Sequence, residues 1–174
     1  DYHSPVLLKE TVKGLDIKKD GVYVDVTFGG GGHSREILAS LGPNGRLIAF
    51  DQDKDALLNI IDDSRFLLIN ENFRFMQRFL RFHGIKSVDG ILADFGVSSH
   101  QFDKPERGFS IRFDALLDMR MNQEDVLSAH SLINTYKEEA LRQLFWQYGE
   151  LRTAAALANS IVQARELAPI DTTF

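Results

Sequence analysis

Short apolar runs alternate with helix-patterned segments through the first hundred residues of the 174-residue chain. Strand-like runs are bounded by turn-forming residues, and the segments between them place apolar residues at helical spacing. Strands separated by helices form right-handed βαβ units and a parallel sheet. We therefore predict an α/β fold with strands at 22–28, 47–51, 66–73 (including its exit loop) and 88–94, and helices at 5–15, 34–41, 55–61 and 74–82.

The pattern changes after residue 95. Residues 96–121 show no clear period, which predicts a long functional loop. Helical patterning follows, and the spacing from Thr135 to Glu138 predicts a capping box that opens a helix ending near Gly149, with a second helix at 150–167. The final residues, 171–174, are typical of an N-cap with no helix after it. We expect the chain to be a fragment whose fourth strand is a sheet edge unless another chain covers it.

Four glycines, Gly29 to Gly32, lie between the first predicted strand and the first sheet-covering helix. Glycine lets the backbone approach a ligand closely, and the helix that follows directs unpaired N–H groups toward the same place. Asp51 ends the second strand, where a carboxylate can accept hydrogen bonds from both hydroxyls of a ribose. We interpret these features as half of a nucleoside-cofactor site, in which Asp25 orients the glycine turn by accepting its N–H groups.

Three nucleoside-type ligands compete for this site. A P-loop is excluded, because no lysine occurs between Gly29 and Lys54. A dinucleotide fingerprint fits Gly29 and Gly31 but meets Ser34 at its third position, so a nicotinamide-dependent oxidoreductase stays an alternative. S-adenosylmethionine needs a glycine turn, an acid after the second strand and a helix N-terminus, but no pyrophosphate site, and it fits best.

Composition adds little to this picture. The net charge of −5 argues against nonspecific coating of nucleic acid, and the only positive third, residues 72–120, carries eight basic and six acidic residues. The chain has no cysteine, no apolar run long enough to span a membrane and no metal-ligand spacing among its histidines. We expect a cytoplasmic protein that binds no membrane and no metal.

Aromatic and basic residues alternate along residues 73–82. This pattern is either an RNA-binding strip or an ordinary amphipathic helix. Helical spacing favours the second interpretation, because it places Phe75, Phe79 and Phe82 on one buried face and leaves the arginines in solvent.

Several longer motifs occur in a fixed order: HSPVLLKE at 3–10, VDVTFGGGGHS at 24–34, DGILADFGVSS at 89–99, RGFS at 107–110, LDMRM at 117–121 and YGE at 148–150. Together they closely resemble the ribosomal small-subunit RNA cytosine-N4 methyltransferases, the RsmH or MraW family. The resemblance covers essentially the whole chain. Phe95 and Phe102 stand where the family usually has leucine, and His100 stands where it usually has proline.

The resemblance implies a Rossmann-like S-adenosylmethionine-dependent methyltransferase sheet, incomplete in this chain, with an all-helical insertion. It places the methyltransferase domain at residues 1–117 and the start of the insertion, a substrate domain, at 118–174. It also implies methylation of the N4 amine of a cytidine in the decoding centre of 16S rRNA. An alternative for this chain is a non-catalytic RNA-binding fragment of such an enzyme. The expected partners are 16S rRNA in the small ribosomal subunit and, as a further possibility, a second copy of the protein.

Site residues follow by matching position. The resemblance assigns cofactor binding to Gly31, Gly32, His33, Asp51, Phe73, Asp94 and Gln101. From their place after the fourth strand, we consider Asp94, Ser98 and Ser99 as candidates for the catalytic group that binds the target amine. Arg107, Arg112 and Arg120 are candidates for RNA-backbone contacts, with pairing to nearby acids as an equal alternative.

Overall fold

The computed structural model describes residues 5–174, so His3 and Ser4 of the first motif lie outside the described residues. The chain divides into two compact units. The first contains the residues up to Ser98 together with Met121–Gln123, and the second contains Ser99–Arg120 and Glu124–Phe174. The domain boundary between residues 117 and 118 that the resemblance implies stays a prediction.

The first unit is built on a parallel sheet. Among the described residues its strands are β1 (Val22–Asp25), β2 (Arg46–Phe50), β3 (Phe66–Ile69) and β4 (Gly90–Leu92), in the order β3-β2-β1-β4. All neighbouring strands are parallel, which confirms the predicted α/β class. Since the carboxyl ends of parallel strands meet at one edge, the loops after β1, β2, β3 and β4 lie along that edge.

Successive residues of β1 face opposite sides of the sheet, as the two-residue period of a strand requires. Tyr23 packs with Ile37 and Leu47 in one apolar cluster, whereas Val24 packs with Ile48 and Leu80 in another. The helices that contribute to these clusters are α1 (Leu8–Gly14) and α2 (Gly32–Ser40) for the first and α3 (Met76–Phe82) for the second. The sheet is therefore buried on both faces, which explains its continuous apolar runs.

Two predicted helices differ in detail. The segment predicted as a helix at 55–61 is a 3₁₀ helix, Lys54–Asn59, which begins where the Asp53 side chain accepts a hydrogen bond from the N–H of Asp55. A second 3₁₀ turn, Phe73–Phe75, leads into α3. Its cap is Asn72, whose side chain accepts from the N–H of Arg74.

The second unit is helical. It contains α4 (Ser99–Asp103), a 3₁₀ turn (Pro105–Arg107), α5 (Ala129–Thr135), α6 (Glu138–Gln147) and α7 (Ala154–Leu167). The prediction of a loop over residues 96–121 was therefore only partly right, because this segment contains α4 and the 3₁₀ turn. The predicted N-cap at 171–174 was wrong, since Thr172 forms an antiparallel bridge with Leu116. No helix in residues 5–174 is long and apolar enough to cross a membrane.

The predicted capping box at Thr135 was wrong. Thr135 ends α5, and its hydroxyl donates to the carbonyl of Ser131 instead of capping α6. The capping box lies at the other end of α5, where Ser128 and Ser131 bond each other's backbone N–H groups. Spacing alone could not separate these positions, because both satisfy the four-residue pattern of a hydroxyl followed by a polar residue.

Candidate functional site

Asp25, the last residue of β1, is fully buried. One carboxylate oxygen accepts a hydrogen bond from the N–H of Thr27 at 3.0 Å, and the other accepts from the hydroxyl of Ser34 at 2.7 Å. Ser34 lies in the first turn of α2 and is itself fully buried. This carboxylate therefore ties the strand, the glycine turn and the following helix together.

The glycine turn is joined to β2 by Asp51. The N–H of Gly29 donates to a carboxylate oxygen of Asp51 at 2.7 Å, while the other oxygen accepts from the N–H of Asp53 at 2.9 Å. We predicted that Asp25 would accept N–H groups of the glycine turn, and this was wrong for Gly29. Asp51 takes that role, because the parallel pairing of β1 with β2 places it beside the turn.

The turn needs glycine for its backbone conformation. Gly29 and Gly31 have φ angles of 50° and 75°, in the left-handed region that other residues rarely adopt. A Cβ on Gly31 would lie 2.8 Å from the Phe28 ring, whereas a Cβ on Gly29 would meet nothing within 4 Å. One glycine is thus fixed by close packing, and the other leaves open space beside the backbone.

Burial raises the pKa of Asp25 above its ordinary value, although the hydrogen bonds from Ser34 and Thr27 oppose the shift. Burial also raises the pKa of Asp51, against the hydrogen bonds from the N–H groups of Asp53 and Gly29. Two acids with raised pKa values at adjacent strand ends are typical of a functional site.

The exit of β4 is fixed to the exit of β1. The backbone N–H of Asp94 donates to the hydroxyl oxygen of Thr27 at 2.8 Å, and the N–H of Thr27 in turn bonds Asp25. The Asp94 residue itself is exposed. A chain of hydrogen bonds therefore runs from the buried carboxylate of Asp25 to the loop that carries a predicted catalytic group.

His33 and Asp94 line one cavity of about 310 Å³ between α1, the start of α2 and the end of β4. His33 is buried, and its Nε2 lies 3.1 Å from the carbonyl oxygen of Val6. The remaining wall is largely apolar and includes Leu15 and Ile91. The structure thus brings together two residues to which the resemblance assigns cofactor binding.

Phe73 lies at the start of the 3₁₀ turn after β3, and its ring stacks in a tilted arrangement on that of Phe95, with centroids 5.5 Å apart. Both rings are exposed to solvent. The pair connects the exit of β3 with the exit of β4 along the carboxyl edge of the sheet.

The other predicted site residues lie where the chain passes from the first unit to the second. Ser98 is the last residue of the first unit's main segment, whereas Ser99 and Gln101 belong to α4, where Gln101 is buried. Their roles stay predictions.

The three arginines predicted to contact RNA differ in accessibility. Arg107 is 2% exposed, and its guanidinium donates to the carbonyl of Arg120, so its burial argues against a direct RNA contact. Arg120 forms a two-point ion pair with Asp118, and Arg112 is exposed, with Asp103 3.8 Å away. The alternative of pairing with nearby acids therefore has direct support for Arg120.

The expected buried face of the helix at 74–82 was wrong for two of its three phenylalanines. Phe79 is partly buried and packs edge-on against Phe50, as predicted. Phe75 is 38% exposed and Phe82 is 81% exposed. Leu80 and Met76, rather than these rings, complete the face that packs on the sheet.

Three residues that hold the strand tips in place were not among the predicted site residues. Thr27 accepts the N–H of Asp94, Asn59 donates to the carbonyl of Gly29, and Asn70 donates to the carbonyl of Asp51. Thr27 follows the buried acid Asp25 by two residues, and in this arrangement the backbone N–H commonly bonds the acid's own carboxylate. The sequence therefore contained a signal for Thr27. The two asparagines carried no such signal, because their partners are distant in sequence.

These features define a class of protein. A parallel sheet ordered β3-β2-β1-β4, a glycine turn after β1 and a carboxylate after β2 are typical of the Rossmann-like folds that bind nucleoside cofactors at the carboxyl ends of their strands. Residues 1–174 match the family model described as the MraW methylase family, and the chain belongs to that family.

Three relatives with similar sequences share one name. The chain is 69% identical over 173 residues to ribosomal RNA small subunit methyltransferase H of Flavobacterium johnsoniae, an alignment that covers 99% of this chain and 57% of the relative. It is 68% identical to the protein of the same name from Christiangramia forsetii, with the same coverage, and 60% identical to that from Bacteroides thetaiotaomicron, covering 94% and 54%. The chain thus spans a little over half the length of these relatives.

Proposed function

We propose that the protein is a 16S rRNA (cytosine-N4)-methyltransferase that uses S-adenosylmethionine, acting in the cytoplasm on the small ribosomal subunit. The main support is the hydrogen bond between the N–H of Gly29 and the carboxylate of Asp51, because it holds the glycine turn and the second strand tip together as one binding edge. Family membership and the names of the relatives agree with this proposal.

The residues present fit this cofactor. Asp51 accepts the backbone N–H groups of Gly29 and Asp53, and a carboxylate offers about four acceptor positions, so it can also accept from a ribose hydroxyl. The open space beside Gly29 lets a ligand approach the bare backbone. Phe73 offers an exposed ring at the next strand exit, suited to one face of an adenine.

His33 and Asp94 are proposed to hold the amino-acid part of the cofactor, since both line the cavity beside the start of α2. The N-terminus of this nine-residue helix favours a carboxylate, and the Asp94 carboxylate favours an ammonium group. When bound, the cofactor supplies an electrophilic methyl group on sulfur. The chain's own contribution is to position that group and the amine that receives it.

The N4 amine of cytosine is a weak nucleophile, because its lone pair is delocalised into the ring. A hydrogen-bond acceptor that binds its N–H groups would tilt it toward tetrahedral geometry. Asp94 and Ser98 follow β4 in the first unit, and Ser99 begins α4, so we propose that this segment supplies the acceptor. The target base must leave its stack to reach the edge of the sheet.

The dinucleotide alternative is weaker. The third position of its fingerprint is glycine or alanine so that the helix can pack closely on the strand. Here Ser34 is buried at that position and bonds Asp25 through its hydroxyl. The local geometry is therefore built around a polar side chain.

We also propose that the protein can form a homodimer, which sedimentation of the full-length protein would test.

Methyl transfer from tritiated S-adenosylmethionine tests the activity. The full-length protein should label small subunits that lack the modification, and the digested RNA should release the label as N4-methylated cytidine. Matched small subunits that already carry the modification are the control and should stay unlabelled. Label in another nucleoside would refute the cytosine-N4 assignment, and NADH binding without methyl transfer would favour the oxidoreductase.

A further inference from the structure

The outer face of α3 and its leading turn is basic and aromatic. Arg74, Arg78 and Arg81 are four and three residues apart, so they line one side of the helical segment. All three are exposed. Phe75 and Phe82 lie beside them and are exposed as well. We call these five residues the arginine–phenylalanine face.

The charges on this face have no counter-charge within residues 5–174. Among the described residues, no carboxylate lies within salt-bridge distance of Arg74, Arg78 or Arg81. This contrasts with Arg65 and Arg120, each of which forms a close ion pair with an aspartate two residues earlier. An unpaired cluster of guanidinium groups is complementary to phosphate, which each guanidinium can bind through two parallel hydrogen bonds.

The rings of Phe75 and Phe82 each contact a neighbouring basic side chain. The guanidinium carbon of Arg74 lies over the ring of Phe75, 4.5 Å from its centroid. The ring of Phe82 meets that of His83 edge-on, with centroids 5.1 Å apart. Phe82, which is 81% exposed, adds little to the core, but it offers a flat surface on which a nucleobase can stack.

We propose that the arginine–phenylalanine face is a docking surface for single-stranded RNA next to the proposed target cytidine. The arginines bind consecutive phosphates, and Phe82 and Phe75 stack against unpaired bases. Phe73, to which the resemblance assigns cofactor binding, directly precedes Arg74 in the same 3₁₀ turn, so the surface continues from the candidate site. This inference rests on the proposed function, because it assigns contacts to the same RNA substrate.

The main test is an RNA-binding measurement on the full-length protein with Arg74, Arg78 and Arg81 all changed to Gln. Fluorescence anisotropy would follow a labelled single-stranded RNA that carries the target cytidine, at several salt concentrations. We expect affinity to fall by about tenfold or more. The slope of log affinity against log salt, about 0.7 per phosphate contact for single strands, should become shallower by about 2.

A matched control changes Lys9, Lys13 and Arg46 to Gln. These residues are exposed cations of the same unit, so the control removes the same charge from a different surface. It should keep the wild-type RNA affinity and salt slope. Equal losses in the two triple variants would show a general charge effect and would overturn the proposal, as would wild-type affinity in the first variant.

Single changes at Phe82 test the stacking contact. Phe82→Ala should weaken RNA binding by about fivefold or more, whereas Phe82→Tyr keeps the ring and should retain it. Phosphatidylserine vesicles form a separate arm: if wild-type protein binds them through Arg74, Arg78 and Arg81 while RNA affinity is unaffected, the face serves a lipid surface and the proposal is wrong.

Two further measurements separate this proposal from the proposed function. S-adenosylmethionine affinity, measured by calorimetry, should be unchanged in the first triple variant. Loss of RNA docking should then raise KM for the small subunit with little change in kcat. Wild-type protein that transfers no methyl group would refute the function, whereas full transfer and unchanged KM in the variant would refute only the docking surface.

Discussion

The strand tips and the arginine–phenylalanine face use polar groups in opposite ways. At the strand tips, the fully buried carboxylate of Asp25 and the partly buried carboxylate of Asp51 bond to the protein's own N–H and O–H groups. On the arginine–phenylalanine face, the three arginines are exposed and no described carboxylate forms an ion pair with them. The first arrangement fixes geometry before a ligand arrives, whereas the second keeps its charge available for a partner.

This difference has an energetic consequence. Removing one partner of a buried hydrogen-bonded group leaves the other unsatisfied, which costs far more than removing an exposed charge. Changes at the strand tips should therefore affect stability and cofactor binding, and changes on the arginine–phenylalanine face should mainly affect association with a partner.

The largest effect is expected for Asp25→Ala. The change leaves the Ser34 hydroxyl and the Thr27 N–H without their acceptor, so the free energy of unfolding should fall by about 2–5 kcal/mol. Urea denaturation of the full-length protein would measure it. Ser34→Ala removes one donor and should cost less, so an Asp25→Ala loss below that of Ser34→Ala would contradict the assigned role.

A smaller effect is expected for Asp51→Ala on S-adenosylmethionine affinity. Charge-assisted hydrogen bonds are worth about 1.5–3 kcal/mol, so the dissociation constant measured by calorimetry should rise by about tenfold or more. Asp20→Ala is the control, because Asp20 is an exposed acid of the same unit and its loss changes the net charge equally. Unchanged affinity in Asp51→Ala would remove the ribose assignment.

The free energy of unfolding should depend on pH through the ionisation of the buried Asp25 carboxyl group. The pKa of Asp25 is raised by burial from its ordinary value of 3.8. Its stabilising contribution is therefore complete below pH 3.8 and is lost as the pH rises through the folded-state pKa. Asp25→Asn does not ionise, so the wild type should lose stability relative to this variant as the pH rises from 3.8 toward neutrality.

Denaturation of both proteins over that pH range would measure the difference. A gap between wild type and Asp25→Asn that stays constant with pH would contradict the raised pKa.

A modest effect is expected for Thr27→Val, which keeps the side-chain shape but removes the acceptor of the Asp94 N–H. Because water can reach this bond, stability should fall by only about 0.5–1.5 kcal/mol. Hydrogen exchange at the Asp94 amide should become faster, and methyl transfer should fall. Thr27→Ser retains the hydroxyl and should behave like the wild type in both measurements.

The smallest effect is expected for Phe82→Ser. Since Phe82 is largely exposed, the free energy of unfolding should change by no more than about 0.5 kcal/mol. Phe79→Ala is the comparison, because Phe79 contacts Phe50 and should cost about 2–4 kcal/mol. A large loss in Phe82→Ser would mean that this ring supports the core and is not free to bind RNA.

The sequence predicted the α/β class, the strand positions and the meeting of the glycine turn with Asp51. These features follow from local signals, namely the period of apolar residues, the glycine run and an acid at a strand end. Parallel strands then bring their carboxyl ends together without further information. The placement of Gly29–Gly32, Asp51 and Asp94 at these ends was predictable to the same extent, whereas their binding roles stay predictions.

Only the tertiary structure decided which residues are buried and which partner each polar group takes. Asp51, not Asp25, accepts the N–H of Gly29, Arg107 is enclosed, and Phe82 is exposed although its helical position suggested otherwise. The physical reason is that burial and long-range hydrogen bonds depend on which elements pack together, and a helical period gives the faces of a helix without saying how much of each face a neighbour covers.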